Sequence, residues 1–325
     1  MSLFLPTFSA QPKLAISVII PAYQEGRTIA CSLAAVDSAL AALRARYEVE
    51  LVVVDDGSTD DTVAGAARFA EGRADVRVLR HPRNRGLGAA LRTAFGQARG
   101  AYVVTLDADL SYGPEYVERL VTALEESGAD MVLASAYMPG GRVVNVPWGR
   151  RVLSREANRF LSLATNARLH TLTCMVRAYR SELLAQLPAA RDGMEINHEL
   201  VFAALRAGAN VVEIPARLAW SDERARAVRR PKLARAAAHI WHVLRSGIAH
   251  RPALLLALPG LLPGPLPVVA VLLYALHASA RTIAVGVTIT AIVQYASLAV
   301  FAGQAAAFFT KRAPAHRRHA VQTNR

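Results

Sequence analysis

Asp107 and Asp109 stand one residue apart at the end of an apolar run, Ala101-Tyr-Val-Val-Thr-Leu106, that reads as a buried β-strand. Two carboxylates brought together at a strand end repel one another. A divalent cation between them relieves that repulsion, because hard cations take carboxylate oxygens and complete their shells with water and phosphate. A plainer reading has Asp109 capping a helix opened by Gly113-Pro114-Glu115. A second polar cluster, Glu195, His198 and Glu199, falls on a helix that begins near Gly193. There Glu195 or His198 is a candidate general base for an acceptor hydroxyl, and the acids equally suit the positive end of a helix dipole.

Other chemistry-bearing residues also sit at strand ends. Ala15-Ile-Ser-Val-Ile-Ile20 leads into Pro21-Ala-Tyr-Gln-Glu25, and Leu51-Val-Val-Val54 leads into Asp55-Asp56-Gly57-Ser58. A weaker strand, Asp75–Leu79, precedes Asn84-Arg-Gly-Leu-Gly88. Each strand is followed by a helix-like segment, the pattern of parallel strands with right-handed crossovers, whose ligands collect at the carboxyl ends.

These motifs, in this order and spacing, resemble the family 2 glycosyltransferases, and within them the polyprenyl-phosphate (dolichyl-phosphate) mannose or glucose synthases. The resemblance continues through Ser135–Gly141, Pro147–Ser154 and Arg177-Ala-Tyr-Arg180 to about residue 220. It implies an α/β GT-A fold, Rossmann-like, with a mostly parallel sheet and flanking helices. It also implies inverting transfer of a hexose from a GDP- or UDP-sugar to a polyprenyl phosphate. By resemblance, Pro21, Tyr23, Glu25, Asp55, Asp56 and Asp107 bind the nucleotide, and Asp107, Asp109 and Ser111 hold Mg²⁺ or Mn²⁺. Asp109 and Glu195 take the catalytic places, and Arg150, Arg151, Ser154 and Arg177 bind the acceptor phosphate.

The chain departs from the family's pattern in three places. Ser111 stands where Gln is frequent, and Ser135-Ala136 stands where Ser-Arg is frequent, leaving Arg142 as the replacement cation. Arg229-Arg-Pro-Lys-Leu233 keeps only the Lys-Leu of a Gly-x-Ser-Lys-Leu ending. Two other readings stay open: transfer to a lipid hydroxyl, and a non-catalytic membrane-anchored binding module.

Charge is divided unevenly along the 325 residues. Residues 1–223 hold 24 Lys and Arg against 25 Asp and Glu, and the 14 basic residues after Glu223 supply the whole net charge of +13. A balanced globular part with a basic tail lacks the broad cationic face that nucleic acid requires, so no nucleic-acid partner is expected. The tail brackets two stretches of 29 residues without formal charge, 252–280 and 282–310, each longer than the ~20 residues that cross a bilayer as a helix. The expected organisation is therefore a glycosyltransferase domain over 1–230, an amphipathic juxtamembrane helix over 231–251, a two-helix transmembrane hairpin over 252–310 and a basic tail over 311–325. Met1–Pro6 has no basic start of a secretory signal. The two isolated cysteines, Cys31 and Cys174, form no metal cluster and are expected to be reduced.

Arg245, Arg251, Lys311 and Arg312 flank the outer ends of the hairpin, and Arg281 alone lies in its turn. The positive-inside rule then puts the catalytic domain and both termini on the cytosolic side of the cell (inner) membrane. A reporter fused after Arg325 should accordingly be cytosolic, and a tag inserted near Ser279 should be reachable only from outside. A C-terminus found outside would mean an odd number of spans.

Overall fold

The computed structural model of the chain describes residues 15–165, 167–187, 191–222, 224, 243–248 and 279–310. In chain order the elements are β1 (Ala15–Ala22), α1 (Ile29–Arg44), β2 (Glu48–Asp55), α2 (Thr62–Ala70), β3 (Val76–Arg80), α3 (Leu87–Phe95), β4 (Tyr102–Thr105), α4 (Tyr116–Ser127) and β5 (Met131–Ser135). They continue with β6 (Arg142–Val144), α5 (Trp148–Thr165), β7 (Arg177–Arg180), α6 (Ser181–Gln186), α7 (Ile196–Arg206), β8 (Val211–Pro215), β9 (Arg217–Ala219) and α8 (Ala280–Thr310). Contacts divide the chain into one unit of residues 1–158 and 169–236 and a second of 159–168 and 237–325.

The first unit is built on a seven-stranded sheet of order β3-β2-β1-β4-β7-β5-β8. Val18, Ile19 and Ile20 of β1 and Leu51 to Val54 of β2 are fully buried. Consecutive burial without alternation is what a parallel strand covered on both faces requires. Helices supply the covering stripes. α1 buries Leu33, Val36, Leu40 and Leu43, and α4 buries Val117, Leu120, Val121 and Leu124 before Gly128 ends it in a left-handed cap, φ 61°.

β1 pairs in parallel with both β2 and β4, so the strand order reverses at β1. The crevice at the carboxyl ends of β1 and β4 is the switch point at which such sheets bind ligands. One strand runs the other way, within the expected mostly parallel sheet: β7 is antiparallel to both β4 and β5. The chain leaves β5 at its carboxyl end and re-enters the sheet from that same end, so the strand must run back. A two-stranded parallel ribbon of β6 and β9 completes the unit.

In the second unit, residues 243–248 and α8 are helical. The first expected span, and most of the expected amphipathic segment, lie outside the described residues. The second expected stretch is one helix of 31 residues, yet among the described residues no helix is long and apolar enough to cross a membrane.

Gly57 shows how tightly the strand-end loops close on one another. Its φ is +73°, and a Cβ placed there would lie 2.2 Å from the Arg83 carbonyl carbon. Gly57→Ala should therefore destabilise the first unit by about 1–3 kcal/mol from backbone strain and lower the denaturation midpoint measured by urea titration. An unchanged midpoint would show that the Asn84–Gly88 loop moves freely.

Candidate active site

The loops at the carboxyl ends of β1 and β2 are stitched together. Gln24 N–H donates to Ser58 Oγ at 2.9 Å and Glu25 N–H to Thr62 Oγ1 at 2.8 Å, while Gly26 N–H donates to Asp60 Oδ2 at 2.9 Å. Asp55 is fully buried; both its oxygens accept from Ser58 N–H at 3.3 Å, and Arg80 Nε lies 3.5 Å away. Asp56 accepts from Arg85 N–H at 3.0 Å and Gly86 N–H at 2.7 Å, with His81 Nδ1 at 2.6 Å. The two carboxylates expected to touch the nucleotide are thus turned inward, where they shape the loop that carries Leu87 to the cavity wall. Tyr23 is 47% exposed at the mouth of the crevice, and Pro21 and Glu25 are half-buried beside it.

Asp107 and Asp109 follow β4 directly. Asp109 Oδ1 accepts from Ser111 N–H at 2.9 Å and from Ser111 Oγ–H at 2.6 Å, a tight local turn that puts Leu110 at φ 49°. Asp109 does not cap α4; that helix starts five residues after Ser111 and its cap residue is Glu115. Burial pushes the Asp107 carboxyl up to about 6, opposed by the positive charges of Arg224 and Arg177 and reinforced by Glu25. Arg224 pairs with Asp109 Oδ2, donates to Ser111 Oγ at 2.5 Å and lies over the Trp220 ring at 4.5 Å. Asp109 and Ser111 thus meet on one cation, and Asp107 feels its charge; carboxylate and hydroxyl oxygens are the hard donors that a divalent ion takes.

A cavity of about 180 Å³ is lined by Asp107, Ser111, Tyr137, Ser154, Thr171 and Thr173, with Asn197, Trp220 and Arg224 also on its wall. Burial raises the Tyr137 hydroxyl, while a hydrogen bond to Ser154 and the charges of Arg151 and Arg155 lower it. Ser154 lines the same cavity as Asp107, and Arg151 acts by its charge on Tyr137, which also lines it. Arg150 instead lies over Trp220 at 5.2 Å.

Arg177 is corrected by the structure. It is fully buried, donating to Asn197 O at 2.5 Å and Leu172 O at 2.7 Å, so a lipid phosphate does not reach it. Its charge acts from behind on Asp107. Glu195 is corrected as well: it folds over Gly193 and does not line the cavity, and His198 is buried against the Phe202 ring at 5.7 Å. Glu199 pairs with Arg191 at 3.0 Å. Arg224, Trp220, Tyr137, Arg155 and Asn197 were not singled out in the sequence. For Arg224 the only signal was its place as the first residue after the last acid.

Residues 17–187 match the model for glycosyl transferase family 2. The chain belongs to glycosyl transferase family 2. A polyprenol monophosphomannose synthase of Mycolicibacterium smegmatis is 36% identical over 214 residues, 64% of this chain and 78% of that protein. An undecaprenyl-phosphate mannosyltransferase of Micrococcus luteus is 32% identical over 206 residues, 62% of this chain and 82% of that protein. The crystal structure of glucosyl-3-phosphoglycerate synthase from Mycobacterium tuberculosis, in complex with Mn²⁺, uridine diphosphate and glucosyl-3-phosphoglycerate, superposes with a TM-score of 0.55 at 23% identity. That likeness covers 73% of this chain and 80% of that one. The first unit is accordingly an α/β GT-A fold of a family 2 glycosyltransferase, with the expected mostly parallel sheet.

Cys174 lines the cavity beside Asp107. Burial, aided by the Asp107 charge and opposed by Arg177, pushes its thiol up to about 12, so at pH 8 almost none of it is thiolate. Iodoacetamide should alkylate the exposed Cys31 and reach Cys174 only in denaturant, as read by mass spectrometry. Equal labelling of both thiols in the native protein would show that the cavity wall opens.

Proposed function

We propose that this family 2 glycosyltransferase moves a hexose from a nucleotide sugar, of the GDP-mannose or UDP-glucose type, to a polyprenyl phosphate at the cytosolic face of the membrane. The relatives' names support the acceptor class, and the cavity supports the chemistry. One observation carries the reading. Among the described residues, Asp107 is the only carboxylate on the cavity wall, and the other lining groups are the Arg224 guanidinium, hydroxyls, an amide, a thiol and apolar side chains. A hydroxyl acceptor must lose its proton during attack and needs a base at the acceptor end. A phosphate monoester, with a second pKa near ~6, arrives as an anion and needs cations and hydrogen-bond donors instead. Arg151 and Arg155, with the Ser154 and Tyr137 hydroxyls, provide that environment.

At the donor end Asp107, Asp109 and Ser111 would hold Mg²⁺ or Mn²⁺, which when bound neutralises the charge growing on the departing diphosphate. The side chains perform the remaining work. The strand-end loops orient the nucleoside at the switch point, and Asn197, Thr171 and Thr173 face the sugar's hydroxyls. Ser154 and the arginines hold the acceptor phosphate so that its oxygen approaches from the end opposite the leaving group. Entry from opposite ends of one cavity gives inversion at the anomeric carbon. The uncharged stretches 252–280 and 282–310 would keep the domain at the surface where the lipid resides.

Asp109→Asn should lower transfer by at least about a hundredfold, and EDTA should do the same reversibly. Arg151→Ala should act mainly on the acceptor KM, by about tenfold, and Glu195→Gln by less than about threefold. The assay is donor transfer in washed membranes with labelled GDP-mannose, UDP-glucose and UDP-GlcNAc. The product of a phosphate acceptor is cleaved by mild acid. An acid-stable product together with an inactive Glu195→Gln enzyme would overturn this reading in favour of a lipid hydroxyl.

A further inference from the structure

Arg224 lies beyond β9, on a stretch that no motif singled out. Its guanidinium pairs with Asp109 Oδ2 and donates to Ser111 Oγ at 2.5 Å, engaging two of the three groups assigned to the divalent ion. One cation therefore already satisfies this end of the cavity. A second cannot share Asp109 with it without like-charge repulsion.

The contact is built rather than incidental. The guanidinium lies over the Trp220 ring, 4.5 Å from its centroid, an arrangement that favours arginine. Trp220 is itself fixed: its N–H donates to Val144 O at 3.2 Å, and its carbonyl accepts from Asn145 Nδ2 at 3.0 Å. The same Asn145 amide donates to Asp222 Oδ1 at 2.8 Å, and Arg224 N–H donates to Ser221 Oγ at 3.2 Å. The arm is thereby clipped to the residue that follows β6. Burial lowers the pKa of the guanidinium while Asp107 and Glu25 raise it; an arginine remains charged in any case.

We propose that Arg224 is the resident counter-cation of the carboxylate pair, competing with the divalent ion for Asp109 and Ser111 and so setting the metal affinity of the site. The proposal rests on the reading that Asp107, Asp109 and Ser111 hold such an ion. With Arg224 in place the carboxylates are stable and hydrogen-bonded without metal, and the ion must displace the guanidinium to enter.

The test is a Mn²⁺ titration of the full chain, followed by the electron paramagnetic resonance signal of free Mn²⁺, for wild type, Arg224→Gln, Arg224→Lys and Asp109→Asn. Near-ultraviolet circular dichroism confirms that each variant is folded. Arg224→Gln should bind Mn²⁺ about fivefold more tightly than wild type, the ratio expected for removing one partly exposed competing ion pair. Arg224→Lys, which keeps the charge, should stay nearer to wild type than the glutamine variant does. Asp109→Asn should lose binding. Equal or weaker binding by Arg224→Gln, with binding still lost in Asp109→Asn, overturns the proposal and leaves the metal reading standing. Absence of binding by all four proteins overturns both.

Discussion

Asp107 is a carboxylate at the end of a buried strand, withdrawn from water far enough that its pKa rises to about 6, and the rest of the site is organised around that cost. Desolvation disfavours the charged form, so the fold must supply positive charge nearby or leave the acid protonated. It does so from two directions. Arg177, fully buried on β7, approaches from inside the sheet and is held by two backbone carbonyls. Arg224 approaches from the solvent side, on an arm outside the sheet, and is held by an indole ring. The first cation is fixed by the core and the second can exchange.

The same constraint explains why backbone strain collects here. Among the described residues, non-glycine positive φ angles occur at Gln24, Leu110 and Asn145. Gln24 precedes Glu25, Leu110 separates Asp109 from Ser111, and Asn145 clips the arm that carries Trp220 and Arg224. Each such residue is disfavoured by about 1–3 kcal/mol and persists because surrounding hydrogen bonds over-determine it. Asp55 and Asp56 serve the same end one strand away. Their carboxylates are occupied by backbone N–H groups of Ser58, Arg85 and Gly86, which fastens these loops to the end of β2.

The sheet was legible in the sequence because its strands are continuous apolar runs ended by polar residues, and this local signal survives without neighbours. β1, β2 and β4 lie where the runs Ala15–Ile20, Leu51–Val54 and Ala101–Leu106 put them, and the strand-end acids fall at the switch point. The direction of β7 was not legible, because Arg177–Arg180 carries no local mark of whether the chain enters the sheet from one end or the other. Arg177 misled for a related reason. Arginine is usually a surface residue, and only the tertiary structure shows that its two terminal nitrogens donate to the carbonyls of Leu172 and Asn197. Arg150 and Arg151 are neighbours on a helix, and sequence cannot say which of them faces Tyr137 and which faces Trp220.

Trp220 joins the two ends of the site. Arg224 lies over its ring at 4.5 Å and Arg150 at 5.2 Å, so one indole holds a cation paired with Asp109 and another from the helix that carries Ser154. Two guanidinium groups near one ring repel each other, and the arrangement is stable only while each has its own compensation. For Arg224 that compensation is Asp109. When the Asp109 carboxylate is taken by another cation, Arg224 loses its anion, and the balance of charge around the ring shifts toward binding a new anion nearby. A phosphate arriving at the acceptor end would meet that need. On the proposed reading, occupation of the acid pair and affinity for an acceptor phosphate would be linked through this shared aromatic ring.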